Sequence, residues 1–179
     1  MTGIPWMLQL LAAALLGYGV GIAKMRGGHE MVTESQVRIK NLQAEHGRDF
    51  GRPGLSHLTL WGASQDSMKQ VEVWMQTFAP GAGTPIHRHD NEEIFIVDHG
   101  QASIRWQRAG EKRVIESVVP KNGTFVVPSN VVHQIWNYRE EDVQVTVIIG
   151  KPPIRVYLYE SWNTSYDQGK LKHPYTFDI

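Results

Sequence analysis

The sequence predicts an all-β chain of one domain, a sandwich or closed barrel behind an apolar N-terminal segment. Short runs rich in β-branched and aromatic residues recur at nearly even spacing, and turn-forming clusters separate them. No helical run of comparable strength interrupts them.

From Ile4 to Ala23 there is no charged residue, and Leu8, Leu10, Leu11, Leu15 and Leu16 stand in an apolar block with Ala12 to Ala14. Small residues at Gly21 and Ala23 make residues 1–23 read as a cleaved secretory signal. The alternative is an uncleaved anchor, because Lys24 and Arg26 follow the block and a bilayer takes roughly 20 apolar residues to span. Residues 24–50 are polar and mixed in charge. They read as a linker or N-terminal extension, with a short surface helix around Glu34 to Ala44 as one form of it. Gly47, Gly51, Pro53 and Gly54 punctuate the entry to a barrel over residues 51–162.

Within the barrel the β-type runs are Leu55–Trp61, Val71–Phe78, Glu93–Val97, Ala102–Trp106, Val114–Val119, Thr124–Val127, Val143–Ile149 and Ile154–Tyr159. Turn chemistry separates them at Ala79 to Gly83, Asp90-Asn91, Asp98 to Gly100 and Pro120 to Gly123. The tail, residues 163–179, is polar and ends with Tyr175 and Phe177 on alternate positions, so it is expected to dock back near the barrel.

The 179 residues suit one domain plus a modest appendage. Lys and Arg number 18, as do Asp and Glu, so no global field recruits nucleic acid. There is no cysteine, which excludes disulfides and thiolate metal sites. Any metal must be held by imidazole and oxygen.

Such a set is present. His87 and His89 are two apart and share one face of a strand, while Arg88 points the other way. Glu93 follows after the Asp90-Asn91 turn, which returns its carboxylate to the same interior spot. His133, after the turn at Pro128-Ser129-Asn130, supplies a third imidazole. Three imidazoles and a carboxylate suit zinc, iron, manganese or nickel, and not calcium or magnesium. A lone buried His is more often a hydrogen-bonded core residue, but the spacing here fits a longer template. Gly81, His87, His89, Glu93 and Gly100 form one half, and Asn122, Pro128, His133 and Asn137 the other. That template resembles the cupin family, which implies a double-stranded β-helix, or jelly-roll barrel. Asn122 and Asn130 depart from it, standing where the family commonly has glycine.

Further runs carry a sharper resemblance. Gly54 to His57, Val71 to Trp74, Thr84 to His89, His133 to Asn137 and Pro152-Pro153 look like the plant auxin-binding protein family. The resemblance implies a homodimer that binds Zn2+ and then indole-3-acetic acid through its carboxylate. It implies metal ligands at His87, His89, Glu93 and His133, and pocket residues at Leu55, Trp74, Gln76, Thr84, Pro85, Phe95, Val156, Tyr175 and Phe177. The residue chemistry agrees. Trp74 and Gln76 share a strand face, offering an aromatic wall and an amide. Thr84 and Pro85 directly precede the ligands, and aromatic walls favour a planar ring.

Two sequons, Asn122-Gly123-Thr124 and Asn163-Thr164-Ser165, imply glycosylation and favour the secretory pathway. The family's usual disulfide has no counterpart, and the chain ends Phe177-Asp178-Ile179 where the family typically has a retrieval signal. An extracellular or apoplastic location is therefore expected over the endoplasmic reticulum lumen. The expected function is a non-enzymatic receptor for a small aromatic carboxylate, with a possible cell-surface receptor partner. The alternative is a germin-like oxidase or dioxygenase using Mn2+ or Fe2+ on the same ligands.

Overall fold

A computed structural model describes residues 24–26, 30–32, 37–108 and 110–172. The expected signal segment, 1–23, and the tail residues Tyr175 and Phe177 lie outside them. The chain divides into two compact units, Met1–Glu45 and His46–Ile179.

The first unit is a three-stranded antiparallel meander of β1 (Lys24–Arg26), β2 (Glu30–Val32) and β3 (Arg38–Lys40). A single 3-10 turn, Leu42–Ala44, follows, started by the Asn41 side chain accepting from the Gln43 N–H at 3.1 Å. A strand and a tight turn thus stand where the sequence suggested a surface helix. Val37 and Ile39 alternate with Arg38 and Lys40, a period of two, and Asn41 offers the backbone a local bond that stops the strand.

The second unit is built from two antiparallel sheets. One has five strands in the order β10-β7-β12-β5-β4, and the other six in the order β14-β13-β6-β11-β8-β9. The strands are β4 (Leu55–Trp61), β5 (Val71–Phe78), β6 (Ile86–His89), β7 (Glu93–His99), β8 (Gln101–Gln107), β9 (Val114–Pro120), β10 (Thr124–Val127), β11 (Val132–Trp136), β12 (Val143–Gly150), β13 (Val156–Tyr159) and β14 (Lys170–Leu171). One helical turn, Ala63–Asp66, joins β4 to β5. Three runs, β4, β5 and β10, coincide with those expected. Two strands absent from the expected runs, β6 and β11, carry the histidines. They are short, Ile-His-Arg-His and Val-His-Gln-Ile-Trp, and pairing with β13 and β8 sets them as strands.

Alternation decides what each strand sends inward. On β12, Val143, Val145, Val147 and Ile149 are fully buried, and on β5 it is Glu72, Trp74, Gln76 and Phe78 that turn in. Cross-strand register aligns these into rows. Leu55, Phe78 and Val143 form one, His57, Gln76, Val145 and Val97 the next, then Trp74, Val147 and Phe95, and finally Glu72, Ile149 and Glu93. The rows run from an apolar floor to rows that bear Gln76, Glu72 and Glu93, of which Glu72 accepts from the Ala63 N–H at 3.1 Å.

Two positions where glycine is usual in the resembling families hold asparagine here, and both adopt the left-handed region, with φ of 63° at Asn122 and 67° at Asn130. Asparagine tolerates this better than any other residue with a side chain. The Asn130 turn is also tied to β6, since its N–H donates to the His89 carbonyl at 2.7 Å and its Oδ1 accepts from Arg88 at 3.2 Å. Asn137, fully buried, closes the other end of β11. Its Nδ2 donates to the Phe78 and Glu141 carbonyls at 2.9 and 2.8 Å, and its Oδ1 accepts from the Arg139 N–H at 2.8 Å.

Replacing Asn137 with Ala strands two carbonyls and one N–H. We expect a loss of about 3 kcal/mol in stability, read from urea denaturation. An unchanged midpoint would show that water replaces the amide.

Candidate metal centre and ligand pocket

The two sheets meet at the histidines. His87 and His133 are direct partners across β6 and β11, and their rings lie 4.1 Å apart between centroids. The loop before β6 makes that approach possible. Gly83 packs so tightly on β11 that a Cβ there would meet the Ile135 carbonyl oxygen at 2.3 Å. Next to it, the Thr84 N–H donates to the Ile135 carbonyl, and the Thr84 hydroxyl accepts from the Ile135 N–H, both at 3.0 Å.

Glu93 comes from the opposite sheet, delivered by the turn between β6 and β7. Asn91 anchors that turn by donating to the Gly150 and Lys151 carbonyls at 2.6 and 2.9 Å. Glu93 Oε2 then lies 3.0 Å from His89 Nε2 and 3.2 Å from His133 Nε2. All four candidate ligand atoms of His87, His89, Glu93 and His133 fall within 4.8 Å of one another.

The ring orientations are set by one repeated device. His87 Nδ1 bonds the Pro85 carbonyl, His89 Nδ1 the Asn91 carbonyl and His133 Nδ1 the Val131 carbonyl, each at 2.9 Å. Carbonyls only accept, so the proton sits on Nδ1 and each Nε2 is turned toward the cluster. Such carbonyl partners are the usual supports of metal-binding imidazoles. His133 Nε2 is buried and has no hydrogen-bond partner among the described residues, despite its closeness to Glu93. A divalent ion in the cluster would engage that nitrogen. The donor set therefore fits a divalent metal of the imidazole-loving kind.

Electrostatics describes the same site before metal. Burial pushes His87 well below its ordinary value, helped by His133 and His89, so it is neutral. Burial also pushes His89 down, but the Glu93 carboxylate outweighs it and the net direction is up. Burial alone would raise Glu93, yet His89 and His133 hold it far below the usual carboxylate range. The His89–Glu93 contact, 3.0 Å long, is thus a charge-assisted pair whenever His89 carries its second proton.

Beside the cluster opens a cavity of about 300 Å³, at the small end of ligand sites. The five-stranded sheet contributes Leu55, Trp74, Gln76 and Phe95, and Val156 faces them from the six-stranded sheet. Thr84 and Pro85 form the edge next to His87. All seven described pocket residues expected from the sequence are thus brought together, and Tyr175 and Phe177 fall outside the described residues. His87, His89 and Glu93 face the cavity, whereas His133 is wholly enclosed behind them. Asn122 and Asn163 lie elsewhere, on the exposed surface.

Several lining residues were not expected. His57 turns inward, buried at 4 % exposure, with Gln76 Nε2 and His57 Nδ1 3.0 Å apart and its ring 4.8 Å from that of Trp74. The i, i+2 spacing of Leu55 and His57 was the available signal. Phe50, Gly51 and Arg52 also line the cavity, although the expected barrel boundary fell between 50 and 51. Lys172 joins them from the tail.

A family model described as auxin binding protein matches residues 29–179. Auxin-binding protein T85 of Nicotiana tabacum is 43% identical over 145 residues, covering 78% of this chain and 78% of the relative. Among solved structures, an oxalate oxidase in complex with the substrate analogue glycolate superposes with a TM-score of 0.56 at 20% identity, covering 75% of each chain. A sugar phosphate isomerase of the cupin superfamily from Silicibacter pomeroyi gives 0.50 at 20% identity, over 60% of this chain and 67% of its own. The fold is that of the cupins, the jelly-roll barrel expected from the sequence.

Metal binding must displace the proton shared by His89 and Glu93, because ligand imidazoles are neutral. Affinity should rise as pH rises through the elevated His89 value and flatten above it, with Glu93 ionised throughout. Calorimetry in buffers of different ionisation enthalpy should report about one proton released per ion below that value. His133→Ala should abolish retained metal, measured by elemental analysis. Retention by that variant would remove His133 from the ligand set.

Proposed function

The chain belongs to the auxin-binding protein family, and on that premise we propose that it is a zinc-dependent binding protein for an aromatic carboxylate of the auxin class. The observation that carries the reading is the contact between the histidine–glutamate cluster and a largely apolar cavity of small-molecule size. In such a cavity a bound divalent ion supplies Lewis acidity and positive charge for a ligand carboxylate.

The chain's own residues do the rest. Trp74, Phe95, Pro85 and Val156 give a planar ring apolar surface and exclude water. Thr84 keeps its hydroxyl proton for an incoming oxygen, because its oxygen already accepts from Ile135. Gln76 has one amide arm on His57, and its Oε1 is buried without a partner among the described residues. An N–H on the ligand ring, as in indole, would satisfy it. Three imidazoles fixed by carbonyls form a rigid receptacle, suited to holding one oxygen geometry.

We extend the proposal to the setting of the protein: the secretory pathway, with export to the apoplast, glycans on Asn122 and Asn163, and a homodimer able to engage a cell-surface partner. The exposure of both asparagines supports the glycan assignment.

The test is calorimetric titration of indole-3-acetic acid into full-length protein whose metal content has been assayed. We expect zinc and measurable binding, with the heat lost in His87→Ala. Trp74→Ala should weaken affinity by about tenfold through lost aromatic surface. Manganese or iron in the protein with no heat from auxin would overturn the reading and favour a cupin oxidoreductase.

A further inference from the structure

The two strands that carry the three imidazoles share little backbone. β6 and β11 meet in register at His87 and His133, whereas β11 pairs with β8 along its whole length, Val132 to Trp136. A ladder that short needs other ties to hold the histidines in step. Thr84 supplies them on the His87 side, through its two bonds to Ile135. On the His89 side the Asn130 N–H donates to the His89 carbonyl at 2.7 Å, and Arg88 adds a second tie to the same turn.

Arg88 stands between His87 and His89 and points to the outer face of the sheet. Three tyrosines set its guanidinium in place. The Tyr157 ring belongs to its direct partner on β13 and centres 3.9 Å from the guanidinium carbon, and the Tyr166 ring centres 4.6 Å from it. Its Nε donates to the Tyr159 hydroxyl at 2.9 Å, and that hydroxyl donates to the Tyr166 carbonyl at 2.7 Å. Burial raises the Tyr159 phenol above its ordinary value, so it keeps the proton this bond needs. With the fork fixed in this way, Nη1 donates to Asn130 Oδ1 at 3.2 Å. No carboxylate pairs with Arg88 among the described residues, so its work here is done by shape.

The acceptor is a departure from the cupin template. Asn130 has a φ of 67°, at a position where that template commonly has glycine. Glycine would meet the same backbone need with less strain but offers no acceptor. What asparagine adds there is the oxygen that Arg88 holds.

We propose that Arg88 is a positioning residue of the metal centre, clamping the Asn130 turn to β6 so that His89 and His133 keep their separation when a divalent ion binds. The proposal rests on the reading of the histidine–glutamate cluster as a metal site. Arg88 touches none of the four ligand side chains and acts through the turn that begins β11. Without it that turn is tied to β6 through the Asn130 N–H, and its added freedom passes to His133, three residues on. A rigid fork can bridge two acceptors at once, which the single ammonium of lysine does not reproduce.

The experiment measures zinc affinity, by competition with a chromophoric chelator, in the full-length parent, Arg88→Gln, Arg88→Lys, Asn130→Gly and the double variant Arg88→Gln/Asn130→Gly. Visible spectra of the Co2+-loaded proteins report ligand geometry alongside. Arg88→Gln should weaken zinc binding about fivefold, less than the roughly tenfold of a residue bonded directly to a ligand imidazole. Arg88→Lys, which retains the cation over the tyrosine rings, should lose affinity to the same extent. Asn130→Gly should show a similar loss, and the double variant should lose no more than Arg88→Gln alone. Each variant should shift the Co2+ bands. Asn137→Ala, destabilised at the far end of β11, should bind zinc as the parent does and so separates stability from positioning. Unchanged affinity in Arg88→Gln, losses that multiply in the double variant, unmoved Co2+ bands, or an equal loss in Asn137→Ala would overturn the proposal while leaving the metal site intact. A parent protein that binds neither Zn2+ nor Co2+ would overturn both.

Discussion

Three imidazole N–H groups, each bonded to a main-chain carbonyl two residues away, hold the whole functional end of this molecule in place. Without those bonds the histidine rings would be free to rotate, and a cluster of lone pairs would scatter. With them, three Nε2 atoms converge on one carboxylate. The four groups are thus arranged as a candidate site for a divalent cation. The bonds in turn depend on backbone that is itself pinned. Asn91 fixes the turn after His89, the Asn130 N–H fixes the turn before His133, and Thr84 fixes the loop before His87.

That dependence explains why the jelly roll suits the task. Two antiparallel sheets face each other, so residues from strands far apart in sequence share one interior. The six-stranded sheet carries the imidazoles and the five-stranded sheet carries Glu93, so the centre ties the two sheets across the interior. Its aliphatic floor, with Phe78, Val97, Val143 and Val145 fully enclosed, gives the stability that a partly polar interior lacks. The cavity lies where the rows change from aliphatic to polar and aromatic, at Gln76, Trp74 and Glu93. Packing and function occupy successive rows of the same strands.

The charge pattern has the same layered character. Among the described lining residues the one acidic side chain is Glu93, 3.0 Å from His89, while Arg52 and Lys172 also reach the wall.

Sequence by itself determined the class of fold, from the rhythm of short runs and turns, and the identity of the four clustered groups, from local spacing together with the resemblance to a two-half template. Runs of β-branched and aromatic residues between turn clusters marked β4, β5 and β10 to the residue, and the i, i+2 spacing with a short turn put His87, His89 and Glu93 on one interior spot. Only the tertiary structure decided the rest. The short strands β6 and β11 gain their extent and partners from pairing with each other and with β13 and β8. Arg52, His57 and Lys172 are cavity residues only because the entry loop, β4 and the edge beyond β13 come together around one void. A strand's alternation is a property of neighbours in the chain, whereas a cavity wall is a sum over surfaces distant in sequence. No local pattern marks which charged residue in a glycine-rich turn will face inward.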